Sequence, residues 1–247
     1  MKRIISLALI LIMVFTLVAC TTPTENTGTT AKPNDTDTTT KSEGVMTWAE
    51  FVAAEPKTKV TIEAYVQGHQ SWWSDKITIY AQDGDGGYFL YEMPCTEEMA
   101  AKLVPGTKIR VTGYRADYAG EIEIMTNAID PATIEIIDGH YIADFIDITS
   151  KLGTDEIINY QNMKVTFKGM TVKELSFKND DSDKDIYLTL TYNDTDYSFC
   201  VENYLTGPDT DVYKAVAALK AGDVVDVEAF LYWWNGINPH ITGVTVK

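Results

Sequence analysis

Residues 103–114, Leu103-Val104-Pro105-Gly106-Thr107-Lys108-Ile109-Arg110-Val111-Thr112-Gly113-Tyr114, hold the end of a helix, a stop and the start of a strand. Pro105 lacks an amide hydrogen and Gly106 tolerates left-handed backbone, so a helix ends there. The run that follows sets Ile109 and Val111 between Lys108, Arg110 and Thr112, the period-two alternation of a half-buried strand. Upstream, residues 96–103 predict the helix itself, with Thr96 or Cys95 at its cap and Glu97 and Glu98 in the first turn. Downstream, residues 121–126 predict a partner strand across the turn at 115–120. Before the helix, residues 59–66, 76–81 and 88–92 are strand-like, with Asp83-Gly84-Asp85-Gly86-Gly87 as a tight turn between the last two.

The same order returns about 105 to 116 residues later. Residues 163–172 answer the first strand, with Lys164-Val165-Thr166 echoing Lys59-Val60-Thr61. Residues 185–192 and 197–202 form a hairpin around Asn193-Asp194, and 209–220 predict a helix with Val212, Val216 and Leu219 on one side. Ala221-Gly222-Asp223 repeats the stop, and residues 224–231 and 240–246 close the unit around Asn235-Gly236. Strand, strand, strand, helix, strand, strand is the order of the OB-fold, a five-stranded Greek-key barrel. The expectation is an all-β chain with short helices, built of two tandem OB-fold domains at residues 45–137 and 138–247. Residues 47–54, with Trp48, Phe51 and Val52, predict an amphipathic helix against the first barrel. The stretch 134–151 is too apolar for a free linker, so the domains are expected to pack together.

The opening of the chain is of another kind. Met1-Lys2-Arg3 is basic and residues 4–18 are apolar but for Ser6 and Thr16, the layout of a secretory signal peptide over residues 1–19. The run falls short of the about 20 apolar residues of a spanning helix. Leu17-Val18-Ala19-Cys20 resembles the lipobox of lipoprotein precursors. Together with the repeated barrel, it makes the chain resemble exported bacterial tandem OB-fold lipoproteins of Firmicutes. That resemblance implies a lipid on Cys20, the lipid bilayer as a partner, and an extracytoplasmic, lipid-anchored place at the bacterial cell membrane. Residues 20–44 are Thr-rich and lack apolar periodicity, so they are expected to be a disordered tether.

The chain carries 36 acidic and 20 basic side chains, a formal net charge of −16. Such a surface repels phosphate backbones and argues against nucleic acid as a partner. Once Cys20 is lipidated, Cys95 and Cys200 are the remaining thiols. A disulfide between them or two buried free thiols both fit the sequence.

Ligands of an OB barrel lie across strands 2 and 3, framed by the loops between strands 1 and 2 and between strands 4 and 5. His69, Trp72 and Trp73 fall in the former loop of the first unit, and Arg115 and Tyr118 in the latter. Trp233 and Trp234 fall in the latter loop of the second. Adjacent tryptophans in extended backbone cannot face the same way, so one of each pair reads as core and the other as exposed; against a ligand-facing role stands the alternative that the rings cover a barrel mouth or fill the contact between the domains. Tyr80, Tyr88, Tyr91 and Tyr187 could extend that surface. Exposed, these rings would give stacking surface for sugar rings or peptide segments.

Asp83, Asp85 and the run 179–185 are oxygen-rich but lack the EF-hand spacing, so they read as solvated turns with no metal. No catalytic or cofactor-binding motif occurs, and His69, His140 and His240 are far apart in sequence. The expected function is therefore non-catalytic and without cofactor: a membrane-tethered binding or scaffold module for a glycan, a peptide or an envelope protein. The alternative is a single-stranded nucleic-acid-binding OB-fold protein.

Overall fold

The structure, a computed structural model, describes residues 32–247. The signal peptide, Cys20 and the first part of the expected tether lie outside the described residues. Among the described residues no helix is long and apolar enough to cross a membrane.

Helix α1 (Trp48–Ala53) opens with a capping box, in which Thr47 Oγ1 accepts from Glu50 N and the Glu50 carboxylate accepts from Thr47 N. Its Phe51 is buried, 5.4 Å from the Tyr88 ring, and closes one end of the first sheet. That sheet is built from β1 (Lys59–His69), β2 (Lys76–Gln82), β3 (Gly87–Pro94), β4 (Thr107–Tyr118) and β5 (Glu121–Met125), with α2 (Glu97–Ala100) between β3 and β4. The strands pair in the order β1-β2-β3-β5-β4, and β4 pairs back onto β1, which closes a five-stranded barrel. All pairs are antiparallel except β3 with β5. A bulge between Val66 and Gly68 bends β1, the strand shared by both sides of the barrel. Val60, Ile62, Ala64 and Val66 of β1, Ile77, Ile79 and Ala81 of β2, and Ile109 and Val111 of β4 fill the interior. Each of the larger ones contributes about 1.5–3 kcal/mol by its burial.

The second sheet repeats the plan with β8 (Lys164–Phe177), β9 (Ile186–Tyr192), β10 (Thr195–Val201), β11 (Val224–Phe230) and β12 (His240–Val246). Its order is β11-β12-β10-β9-β8, with β11 pairing back onto β8. The parallel contact of β10 with β12 is a single pair, Cys200 with His240. Helix α3 (Asp211–Ala217) is capped by Thr210 and buries Tyr213 and Val216. Both sheets are mixed, helices are few, and the arrangement is consistent with OB-fold-like barrels.

Two expectations change. The apolar stretch 134–151 is half strand: β6 (Thr133–His140) adds to the outer edge of β4, and β7 (Ile146–Asp147) lies parallel to β8. A boundary between 137 and 138 therefore cuts β6, whose last residue, His140, still pairs with Thr107. Gly106, at φ +93°, is needed there, because a Cβ on it would lie 2.1 Å from the His140 ring. The second change concerns residues 32–44, which form a strap along the first barrel where free tether was expected. Asp35 accepts from Tyr65 Oη and His140 N, Asn34 exchanges hydrogen bonds with Ile142, and Lys41 reaches the buried Asp83 at 2.5 Å. Threonine-rich composition concealed these few well-placed polar anchors.

The two barrels belong to one compact unit. Their backbones approach so closely that a Cβ on Gly87 would meet the Asn162 carbonyl carbon at 2.4 Å.

Candidate functional site

In the first barrel the alternation of β2 turns Ile77, Ile79 and Ala81 inward and Thr78, Tyr80 and Gln82 outward. That outward face is not free. Tyr80 and Phe89 cluster with Phe230, Leu205 and Tyr232 of the second barrel, and Tyr80 Oη meets His240 Nδ1 at 2.7 Å. Gln82 Oε1 accepts from Lys164 N at 2.9 Å. The ring contacts, together with the polar bonds around them, spend the part of the strand 2 and 3 face around Tyr80, Gln82 and Phe89 on the neighbouring barrel.

The equivalent face of the second barrel is open. Ile186, Leu188 and Leu190 of β9 point into the core, which leaves Tyr187, Thr189 and Thr191 outward beside Asp196 and Ser198 of β10. A cleft of about 460 Å³ runs from this face to the turn at 234–238, lined by Tyr187, Thr189, Ser198, Trp234 and Asn238. Trp234 is 48% exposed and Tyr187 45% exposed. Trp234 is propped edge-on against Tyr118 of the first barrel, centroids 5.2 Å apart. The turns bearing these two rings are joined by Asn235 N donating to Ala119 O at 2.6 Å.

Glu121 and Glu123 are buried next to this junction, and Glu202 is half-buried at the turn after β10. Glu121 accepts from Trp233 N at 2.9 Å and from Asn162 Nδ2 at 2.5 Å, and its burial raises its pKa well above the usual range. Glu123 is pushed up to about 7 by burial and by nearby Asp117. Glu202, which accepts from Tyr204 N and Leu205 N, is likewise pushed up to about 7 by burial. At the groove rim Lys178 pairs with Asp185 at 2.8 Å and Lys173 pairs with Asp196.

The tryptophan pairs divide as the alternation requires. Trp72 donates Nε1 to Cys95 O at 2.7 Å and packs on the first core, whereas Trp73 is 70% exposed. Trp233 packs on the second core and Trp234 faces the cleft. Tyr118 is exposed. His69 ends β1 with Nδ1 on Gln70 O, and lines none of the clefts described here. Arg115 is buried on β4, where its guanidinium pairs with Asp117 and donates to Val52 O, bracing α1. Of the predicted residues, Tyr118 and Trp234 come together; Trp72 and Trp73 line a separate cleft with Tyr204 and Glu92. Neither Tyr204 nor Glu92 carried a sequence signal, since the first follows a strand in a plain loop and the second sits inside one.

Cys95 and Cys200 are buried and free, one in each barrel, so the disulfide alternative drops out. Desolvation pushes both thiols up and keeps them unreactive. Asp83 is used by Lys41, Tyr88 Oη and its own turn, and Asp181 caps its turn through Asp183 N. Among the described residues no group of three or more His, Cys, Asp or Glu side chains is placed to hold a metal. Both barrels are OB-fold-like.

No family model matches the chain, and no curated protein is similar to it. Among solved structures the chain is similar to HIN domains. A p202 HIN1 structure in complex with 12-mer dsDNA has a TM-score of 0.35 at 11% identity, covering 80% of this chain and 98% of that one. The p204 HINb domain has a TM-score of 0.35 at 12% identity, covering 78% of this chain and all of that one (100%). A replication protein A heterotrimer bound to ssDNA has a TM-score of 0.33 at 11% identity, covering 79% of this chain and 51% of that one. These are not exported lipoproteins, and the resemblance to that group is corrected accordingly. The readings that rested on it are withdrawn with it: lipid-anchored extracytoplasmic placement, a membrane partner, and a glycan, peptide or envelope ligand. The exclusion of nucleic acid, argued from net charge, is withdrawn as well, because net charge averages over the surface: in the open groove Asp196 is paired with Lys173, and Tyr187 and Trp234 stand exposed. At these identities and TM-scores the likeness itself assigns no function to the chain.

Proposed function

We propose that the chain is a tandem OB-fold protein that binds single-stranded nucleic acid by stacking bases on the open face of its second barrel. The observation that carries this reading is the cleft over β9 and β10, with Trp234 and Tyr187 exposed on its lining and Tyr118 bracing Trp234. It occupies the position at which OB-folds take their ligands, across strands 2 and 3 beside the strand 4 to 5 turn. A base stacked on an aromatic side chain gains about 1–3 kcal/mol, and the gain tolerates sequence because every base has a flat face.

The charge of the chain decides what kind of binding this is. Lys173 and Lys178 at the rim are already paired with Asp196 and Asp185, so few phosphates are neutralised. Stacking carries the affinity, and salt weakens it only slightly. The test is fluorescence anisotropy of a labelled oligothymidylate of about 15 nucleotides, within the site sizes of OB-folds. W234A and Y187A are each expected to weaken binding about tenfold, with a log–log salt slope shallower than about −2. Absence of binding at low salt, or binding indifferent to W234A, would reject the reading.

A further inference from the structure

A second cleft, of about 350 Å³, lies where the β1–β2 loop of the first barrel meets the turn after β10 in the second. Trp72, Trp73 and Tyr204 supply aromatic surface, Ile77 and Thr78 apolar and hydroxyl surface, and Lys76 and Glu92 an ion pair. Trp73 is 70% and Tyr204 60% exposed, a large apolar area left in water on both barrels. The walls are tied together by Ser71, whose N and Oγ donate to Tyr204 O at 2.8 and 3.2 Å.

Two backbone features shape this cleft at a cost to the fold. Trp73 and Lys76 exchange both backbone hydrogen bonds at 3.0 Å around Ser74 and Asp75, which take φ +50° and +58°. Such a turn normally carries Asn, Asp or Gly, and a left-handed serine in it is strained. The turn holds Trp73 out of the barrel while Trp72 enters it. The second feature is a bulge in β3, where the pairing slips between Ile77 and Ile79 and Glu92 takes φ +44°. Glu92 N is caught by Thr78 Oγ1 at 3.1 Å, and its carboxylate accepts from Lys76 Nζ at 2.7 Å on the cleft lining. Bulges of this kind re-aim side chains beside binding sites. Such strain persists where the surroundings hold it in place, and it gathers at sites that bind ligands.

The geometry points to a guanine-selective base subsite in this cleft, with the base ring against Trp73 and Tyr204 and its edge read by Glu92 and Lys76. A carboxylate accepts two parallel hydrogen bonds, which matches the N1–H and N2–H donors of guanine. The neighbouring ammonium donates, which matches guanine O6. Adenine offers the carboxylate one donor beside an acceptor, and cytosine and uracil offer a smaller ring and no paired donors next to an acceptor in that order. The volume suits one nucleoside and is near the lower end of small-ligand sites. This inference deepens the nucleic-acid reading but concerns a different cleft from the one over β9 and β10.

The experiment uses the folded chain and free nucleosides, with no oligonucleotide present. Guanosine, adenosine, cytidine and uridine are titrated by calorimetry, and by the Trp73 indole signal in NMR spectra of W73F and parent protein. Guanosine is expected to bind about tenfold more tightly than adenosine, the discrimination of one bidentate base contact. E92Q preserves shape but replaces one acceptor with a donor, and is expected to remove the preference while weak ring binding persists. W73A is expected to weaken all nucleosides. Equal binding of guanosine and adenosine, a preference that survives E92Q, or no nucleoside binding at millimolar concentration would each overturn the inference. Because no strand is used, failure of oligothymidylate binding in the other cleft leaves this result to be read by itself.

Discussion

The Tyr80 ring of the first barrel lies flat on the Phe230 ring of the second, centroids 4.3 Å apart and planes 2° from parallel. Both rings are almost fully buried, so this contact is a core shared by two barrels. Y80A and F230A are each expected to lower stability by about 3–5 kcal/mol, the range for a deleted buried ring. The double variant loses less than the sum, because each substitution already removes the same contact. Y80F keeps the ring, loses the contact with His240, and costs about 1 kcal/mol. Urea unfolding measures all four, and a Y80A midpoint equal to the parent's would refute the shared core.

Glu123 sets a pH dependence. Burial pushes it from 4.5 up to about 7, so between those values the folded chain holds a proton that the unfolded chain has released. The folded state then binds more protons, and stability falls as pH rises through that window. The full effect is about 3 kcal/mol. Buried His240, pushed down to about 3, acts in the opposite sense and loses stability as pH falls below about 6.5. The difference between E123Q and parent isolates the carboxyl: E123Q gains on the parent from pH 5 to pH 8, and a constant difference would contradict the buried, protonated state.

Lys41 and Asp83 are 7% and 0% exposed at their side chains. Removing the cation leaves a buried carboxylate without its counter-charge, which costs about 3–5 kcal/mol. Tyr88 Oη, Asp85 N and Gly86 N still donate to Asp83, so K41M is expected at the lower end, about 3 kcal/mol. K41M with D83N recovers part of that loss in thermal unfolding, and a K41M midpoint unchanged from the parent would show that the strap is not anchored there.

The tryptophans should separate by accessibility. Acrylamide is expected to quench Trp73 and Trp234 efficiently and Trp72 and Trp233 poorly. W73A stays within about 0.5 kcal/mol of parent stability. W72A, which empties part of the first core, loses about 2–3 kcal/mol, below the 3–5 of a fully enclosed ring. Equal quenching in W72F and W73F variants would argue against this division.

Much of this was legible in the residues. The stop at Pro105-Gly106 and its echo at Gly222 placed ten barrel strands and the helices between them to within a few residues. Alternation called for one core and one exposed ring in each tryptophan pair but not for which; the structure packs Trp72 and Trp233 on the cores and leaves Trp73 and Trp234 exposed. What sequence could not yield was which outward face meets the other barrel. Tyr80 and Tyr187 occupy equivalent strands with similar neighbours, yet one is buried and the other half-exposed. That difference arises from the docking of whole barrels, a long-range event with no local signature. The strap at 32–44 was missed for a related reason: a few hydrogen bonds to distant partners fix it, and composition averages them away.

The closing of the first barrel's face also sets a stoichiometry. A duplicated fold invites the count of two equivalent binding sites, one per copy. Here the copies have diverged in role, since Tyr80 and Phe89 are spent on Phe230 and Tyr232. Titration to saturation along the β9 and β10 groove should end at one oligonucleotide per chain, and the pair should unfold in a single step because neither barrel keeps its surface when the other leaves.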